Sequence, residues 1–259
     1  MQLLHLVRDV PLWVITLILM LGAAVYSIGL MLLTRAIYGV DRLSLNNEVA
    51  GFKFAVIGVF YAVMLAFVVI AVWEDFRKTE DAVRNEAKAV VDLHRLSFAL
   101  PAASGDAIRQ GLVAYTNDVR ESEWPTMASG QPSPAVAGDL HQLSKAIIDV
   151  TPQTDQQMAL YQEALRLLSV MTDNRAGSMP GILWLVLVIG GLITLGYPAF
   201  FGSSNLLAQV LMTAALAELV ALAMVLGVAF DYPFTGEVHI SPYPFDQALQ
   251  QMSPIWPPP

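Results

Sequence analysis

Residues 50–100 read AGFKFAVIGVFYAVMLAFVVIAVWEDFRKTEDAVRNEAKAVVDLHRLSFAL. Up to Trp73 this stretch carries almost no charge, and beyond it charged residues recur at short intervals without a proline or glycine until Pro101. The apolar part exceeds the roughly 20 residues that a helix needs to cross about 30 Å of hydrocarbon. The stretch therefore predicts one continuous helix that crosses a membrane and then continues into water.

Three further apolar blocks approach or exceed the same length, and they run from about Pro11 to Leu33, Pro180 to Phe201 and Leu206 to Phe230. The chain of 259 residues is 56% hydrophobic and only 14% charged, which argues against a water-soluble globule. The first block is too long for the apolar region of a signal peptide, so it predicts an uncleaved span. The net charge of −8 argues against nucleic acid as a partner.

These blocks divide the sequence into four parts. Residues 1–73 form a first transmembrane pair, 74–179 a helical domain, 180–230 a second transmembrane pair, and 231–259 a proline-rich tail. The helical domain is predicted as a small bundle in which Pro125 stops one helix and Thr154 caps another. The tail holds seven of the fifteen prolines and is predicted to be extended.

Basic residues predict which side of the membrane each part occupies. Four spans place the N-terminus, the helical domain and the tail together, and seven basic residues near the spans lie on that side: Arg8, Arg77, Lys78, Arg84, Lys88, Arg166 and Arg175. The opposite side has Arg35, Arg42 and Lys53. The positive-inside rule therefore favours a multi-pass protein of the cytoplasmic membrane whose termini and helical domain are cytoplasmic.

The second span carries two distinct stripes. One is a spine of small residues at three- and four-residue spacing, which permits close helix packing: Gly51, Ala55, Gly58, Ala62 and Ala66. On another side, Lys53, Phe60, Phe67 and Glu74 repeat every seven residues, with Met64 alongside. This second stripe could line an apolar pore with charged mouths. The alternative is that the aromatic rings face lipid while the charged side chains reach the membrane interfaces.

Glu218 stands near the centre of the fourth span, where an ionised carboxylate without a partner is costly. No basic residue lies at this depth in any span, so the candidate partners are the hydroxyls of Tyr26, Ser27 or Thr194, an ion, or Glu218 of another subunit. A protonated acid bonded to a backbone carbonyl is the structural alternative to an ion or proton site.

The sequence gives no support for an enzymatic active site. No hydrolase, kinase or nucleotide-binding motif is present, cysteine is absent, and the four histidines lack metal-ligand spacing. The sequence therefore predicts no enzyme, no cofactor and no metal.

Several segments in order resemble the bestrophin-like membrane proteins: YAVMLAFVVIAVWEDF from Tyr61, Glu86, the LP at Leu100, the EWP at Glu123 and DYPFTG from Asp231. The resemblance covers most of the chain. It implies an all-α fold in which a cytosolic helical insertion separates two pairs of spans. It also implies a pentameric ion channel whose second span lines the pore with an apolar neck. The acidic calcium clasp of bestrophins is not recognisable, so calcium gating is not carried over.

The sequence and the resemblance together predict a homo-oligomer, with a pentamer favoured, that conducts inorganic ions across the lipid bilayer. Phe60, Met64 and Phe67 are the predicted neck, and Glu74 and Asp75 form an acidic ring at the cytoplasmic mouth, with Lys53 at the other mouth. One competing hypothesis is a membrane-anchored interaction or sensor protein whose cytosolic helices bind a partner. Another is a proton-coupled transporter that uses Glu218.

Overall fold

The computed structural model of the chain describes residues 10–128, 131–172 and 181–253. Within these residues the regular structure is helical and no strand occurs. The α-helices are α1 (Leu12–Tyr38), α2 (Val40–Ser44), α3 (Asn47–Ser97), α4 (Ala102–Asp118), α5 (Trp124–Met127), α6 (Pro134–Ile148), α7 (Asp155–Thr172), α8 (Gly181–Gly196), α9 (Leu206–Asp231) and α10 (Tyr243–Met252). A π-helical turn (Val119–Glu123) precedes α5, and a 3-10 turn (Tyr197–Phe200) follows α8.

Four helical segments are long and apolar enough to cross a membrane: Leu12–Tyr38, Asn47–Ser97, Leu183–Phe200 and Leu206–Asp231. Each segment overlaps one of the four apolar blocks of the sequence, so the prediction of four apolar helices long enough to span a membrane is confirmed. α3 is a single helix of 51 residues, as the absence of proline and glycine after Gly58 predicts.

The chain divides into two compact units. The first contains α1, α2, α3 as far as Phe76, α8 and α9. The second contains α3 from Arg77 onward, α4 to α7, and α10. Each unit has its own buried side chains.

In the first unit, α1 and α9 run antiparallel. Arg35 Nη1 lies 3.1 Å from Gln209 Oε1, and one turn earlier in α1, Met31 Sδ accepts a hydrogen bond from Thr213 Oγ1 at 3.7 Å. The glycine pair of α8 allows α3 to approach, because a Cβ added to Gly190 would lie 2.9 Å from the Tyr61 ring. Tyr61 is buried there and donates to the Leu187 carbonyl at 3.3 Å.

In the second unit, apolar residues at helical spacing form the core. The largest fully buried side chains include Leu93, Ile108, Leu112, Tyr115, Leu143, Ile147, Met171 and Phe245. Tyr115 also donates a hydrogen bond to the buried carboxyl of Glu86. This contact satisfies polar groups that would be costly to bury alone.

Pro125 does not stop the helical path, contrary to the sequence prediction. The π turn ends before it, with the Trp124 N–H bonded to the Val119 carbonyl, and the helical backbone then continues through Pro125 in the first turn of α5. Proline is tolerated in the first turn of an α-helix because it does not have to donate an α-helical hydrogen bond there. Thr154 caps α7 as predicted, because its Oγ1 accepts from the Gln157 N–H at 3.2 Å.

The tail is not extended throughout, contrary to the sequence prediction. Residues Tyr243–Met252 form α10, in which Phe245, Ala248 and Met252 are buried. Pro244 lies in the first turn of this helix, and the nine residues from Phe245 to Ser253 contain no proline. The density of prolines in the tail obscured this short amphipathic segment.

Candidate functional site

The membrane part of α3 packs on the first unit through one face. Tyr61, Leu65 and Val72 are buried on this face, Val68 packs against the same core, and Phe54 stacks on Tyr197 with ring centroids 5.6 Å apart. These residues recur at seven- and four-residue intervals, which is the spacing of one helix face. The predicted neck residues and the small-residue spine lie on the two flanks of this face.

The aromatic stripe forms one flank and is open in the single chain. Phe60 and Phe67 are each 68% exposed and lie roughly 100° round the helix from Tyr61 at about 100° per residue. Met64 lies nearer the packed face and is half-buried. The three predicted neck residues therefore share a side of α3, but Phe60 and Phe67 have the greater reach away from the subunit.

The small-residue spine forms the other flank and contributes little to packing within the chain. Ala55, Ala62 and Ala66 are exposed, and a Cβ added to Gly58 would meet nothing within 4 Å. Gly51, the other glycine of the spine, has one neighbour: a Cβ added to it would lie 3.9 Å from Phe201 Cε1. Close packing on this spine thus remains a prediction that requires another chain.

The charged residues of the stripe stand near the two ends of the apolar part of α3. Lys53 and Glu74 are both exposed, and the 21 residues that separate them correspond to about 32 Å of helix, the thickness of the hydrocarbon layer. Asp75 is half-buried and lies within electrostatic range of Asp231. Asp231 accepts a hydrogen bond from Trp184 Nε1 at 2.8 Å.

Asp231 was not among the predicted site residues, although it begins the DYPFTG segment. The rings of Phe76 and Phe230 contact each other edge to face at 5.5 Å, and they join the middle of α3 to the C-terminal end of α9. Three carboxyl groups therefore belong to this end of the first unit: Glu74, Asp75 and Asp231.

Glu218 lies twelve residues from the first residue of α9 and is half-buried. Its Oε2 is shielded from solvent and has no hydrogen-bond partner in the described part of the chain. Two predicted partners donate elsewhere, because Tyr26 Oη donates to the Leu192 carbonyl at 3.2 Å and Ser27 Oγ to the Leu195 carbonyl at 2.7 Å. Thr194 Oγ1 is buried and likewise without a partner.

A polar cluster at the opposite end of the first unit was not predicted. Arg35 Nη1 donates to the Ser203 carbonyl at 2.7 Å, and Gln209 Nε2 donates to the Phe201 carbonyl at 2.7 Å. The Asn47 side chain bonds both backbone groups of Gly202. These side chains form hydrogen bonds with backbone groups of the turn between α8 and α9, so their role is structural. The Arg35 guanidinium is already hydrogen-bonded in this cluster.

In the second unit, carboxyl pKa values are shifted in both directions. The hydrogen bond from Arg166 lowers the pKa of Glu163. Burial, followed by the nearby side chain of Asp118, raises the pKa of Asp139. Among the described residues no cluster of three or more His, Cys, Asp or Glu side chains could hold a metal ion.

A family model described as the Bestrophin-like domain matches residues 21–245. Three mutant forms of a bacterial bestrophin homologue from Klebsiella pneumoniae have similar structures. The first has a TM-score of 0.65 at 12% identity over 90% of this chain and 97% of that chain. The second has 0.66 at 15% identity over 91% and 97%, and the third has 0.62 at 15% identity over 92% and 98%. No curated protein matches the sequence.

Proposed function

The chain belongs to the bestrophin-like family, and from its resemblance to bestrophins we propose that it is an oligomeric ion channel of the cytoplasmic membrane. The subunits form a closed ring, with a pentamer favoured, and α3 of each subunit lines a central pore. The second unit and both termini lie on the cytoplasmic side, as the distribution of basic residues favours.

The observation that carries the proposal is the exposure of Phe60 and Phe67 on a helix that is otherwise anchored by a buried face. A membrane helix with one packed face must cover its flanks with lipid or with other subunits. In a ring, the small-residue flank of one α3 accommodates the adjacent subunit, and the aromatic flank is directed to the axis.

The neck then consists of Phe60, Met64 and Phe67 from every subunit. A ring of apolar side chains gates conduction by excluding water when the opening is narrow. Glu74 and Asp75 form an acidic ring at the cytoplasmic mouth and concentrate cations there, whereas Lys53 at the other mouth opposes cation entry.

Reconstituted flux tests this function. The purified protein is imaged for a central pore, its copy number is measured by light scattering, and ion flux is recorded in proteoliposomes. Phe60→Ala and Phe67→Ala widen the neck, so we expect flux to rise and gating to weaken in both variants. Leu219→Ala removes an equally exposed apolar side chain on α9 and serves as the matched control.

Two outcomes overturn the proposal. A monomeric protein without ion flux would refute the channel function. If the assembled Phe60→Ala and Phe67→Ala variants conduct as Leu219→Ala does, the assignment of these residues to the neck is wrong. Both are decided on folded protein whose copy number has been measured.

A second candidate function is a membrane-anchored protein that binds a partner through the second unit. It is favoured by a groove of about 660 Å³ between α3 and α10, lined by both charged and amide side chains, including Arg84, Lys88, Arg95, Gln247 and Gln251. If the protein proves monomeric and non-conducting, charge-reversing variants of Lys88 and Arg84 become the relevant test of that function.

A further inference from the structure

The groove between α3 and α10 lies wholly within the second unit and has a volume of about 660 Å³. Its floor is apolar, because the buried side chains of Val83, Ala87 and Val91 on α3 and of Ala248 on α10 line it. Pockets for small molecules have volumes of about 300 to 1,000 Å³ and are mostly apolar with a few polar groups. The fifteen residues that line this groove are fewer than the roughly 20 to 30 that a stable protein interface uses on each side. The groove therefore has the size of a small-molecule site.

Three cations of α3 lie on the wall of this groove: Arg84, Lys88 and Arg95. Their spacing of four and seven residues places them on one face of the helix, along about 17 Å of its length. Arg84 and Lys88 are like charges four residues apart, an arrangement that by itself destabilises a helix. A bound anion would offset this repulsion.

Two of the three cations are paired with carboxylates that also line the groove. Glu80 Oε1 lies 2.6 Å from Arg84 Nη2, and Asp92 Oδ1 lies 3.9 Å from Arg95 Nη1. Lys88 is exposed and has no ion pair in the described part of the chain. The lining thus has a surplus of one positive charge, in a chain whose net charge is −8. One carboxylate matches this surplus, whereas a phosphate group carries about −1.5 to −2.

We propose that the groove binds a small organic monocarboxylate with an apolar body. Lys88 binds the carboxylate, and the apolar floor contacts the body. Gln247 of α10 also lines the groove and offers amide N–H donors, whereas Gln251 accepts a hydrogen bond from Arg95 at 3.0 Å. The site lies within the second unit and does not depend on conduction.

Photolabelling with 4-azidobenzoate tests the proposal on the assembled full-length protein. This probe joins a carboxylate to an aromatic ring, and on irradiation it loses dinitrogen and inserts into neighbouring side chains. Mass spectrometry identifies the labelled residues. We expect saturable label within residues 80–95 and 240–251, which benzoate displaces and inorganic phosphate does not. Neutral 4-azidobenzamide is expected to label these residues about tenfold less, because it forms no charge-assisted hydrogen bond with Lys88.

Four variants locate the site. Lys88→Gln is expected to weaken labelling about tenfold, whereas Lys145→Gln, at an exposed position of α6, leaves it unchanged. Gln247→Trp fills the groove with a bulky side chain and is expected to abolish the label. Gln250→Trp changes an exposed residue of α10 that does not line the groove, and it is the steric control. Thermal unfolding and light scattering verify that each variant folds and assembles as the native protein does.

Three results overturn the proposal. If inorganic phosphate displaces the label as well as benzoate does, the groove binds another class of anion. If Lys88→Gln is labelled as strongly as the native protein, Lys88 does not bind the carboxylate. If residues 80–95 and 240–251 carry no saturable label, the groove is not a carboxylate site, and a changed copy number of Gln247→Trp then assigns it to a contact between subunits. Because labelling is measured without flux, its failure is separate from failure of the proposed channel.

Discussion

The side-chain amide of Asn47 makes two hydrogen bonds to the backbone of Gly202: Nδ2 donates to the carbonyl at 2.8 Å, and Oδ1 accepts from the N–H at 3.0 Å. Gly202 is buried, so no solvent replaces these bonds. The start of α3 is thereby fixed to the turn between α8 and α9.

Asn47→Ala is expected to destabilise the protein by about 1 to 3 kcal/mol, because it leaves two buried backbone groups unsatisfied. Asn46→Ala changes an exposed neighbour and is expected to have little effect. Thermal unfolding in detergent compares the two variants. Equal melting temperatures would show that the amide of Asn47 is not needed to hold the turn.

Gly202→Ala is also expected to destabilise the protein, by about 1 to 3 kcal/mol, because overpacking forces the backbone to shift. The added Cβ would lie 2.4 Å from the Ser44 backbone nitrogen. Gly138→Ala is the control, since its Cβ meets nothing within 4 Å and alanine favours the α6 interior by about 0.5 to 1 kcal/mol. Opposite shifts in melting temperature are expected, and a neutral Gly202→Ala would contradict the steric argument.

Trp124→Ala is expected to release α10 from the second unit. Trp124 Nε1 donates to the Ile240 carbonyl at 3.0 Å, and its ring contacts Phe234 and Phe245 edge to face. We expect a loss of about 3 kcal/mol for the alanine variant and about 1 kcal/mol for Trp124→Phe, which keeps ring contacts. Hydrogen exchange of the α10 amides measures the release, with exposed Tyr243→Ala as control. Unchanged α10 protection in Trp124→Ala would refute this anchoring role.

Asp139→Asn is expected to stabilise the protein at neutral pH. Because burial and Asp118 raise the pKa of Asp139, the folded chain binds more protons than the unfolded chain just above the ordinary carboxyl range. The free energy of unfolding therefore falls as pH rises from the ordinary carboxyl pKa to the raised pKa of Asp139. Above the raised pKa, the whole cost of the charged Asp139 carboxylate in the folded state is present. Asparagine removes the penalty.

The gain from Asp139→Asn should be under about 1 kcal/mol, because the side chain is partly solvated. It should vanish below the ordinary carboxyl pKa, where aspartate is protonated in both states. Asp81→Asn, at an exposed position of α3, provides the control. Melting temperatures measured from pH 3 to about pH 8 give the comparison, and a gain that is the same at every pH would argue against titration of Asp139.

The mouth charges are expected to set ion preference in opposite directions. Glu74→Gln combined with Asp75→Asn should lower cation permeability relative to chloride, and Lys53→Gln should raise it. Each roughly twofold change in permeability ratio shifts the reversal potential by about 10 to 20 mV. Bilayer recordings under a potassium chloride gradient measure the shift. Identical reversal potentials in all variants would place these charges away from the ion path.

The four spanning helices, the long α3 and the family resemblance could be predicted because they depend on properties of contiguous residues. Hydropathy marked the spans, and the lack of helix breakers between Gly58 and Pro101 marked α3. The resemblance is confirmed by the family match over residues 21–245. The sequence prediction missed α10 because it considered the proline content of the whole tail. Proline is tolerated in the first turn of a helix, where Pro244 lies, so its position matters more than its number.

The contacts of the candidate site could not be predicted in the same way. The sequence singled out Glu218 and the two stripes of α3 as candidates from residue type and spacing alone, and their roles stay predictions. It did not reveal that Tyr26 and Ser27 donate to carbonyls of α8, because helix register is set by packing across more than 160 residues. The Asp231 contact with Trp184 depends on register in the same way.

The π turn at Val119–Glu123 sets the angular position of Trp124, the residue that follows it. The Trp124 N–H bonds the carbonyl five residues before it instead of four, so this turn contains one residue more than an α-helical hydrogen-bonded turn. Regular α geometry over the same residues would place Trp124 at a different angle about the helix axis. The length of this turn, more than the identity of its residues, therefore directs the indole toward Phe234 and Phe245.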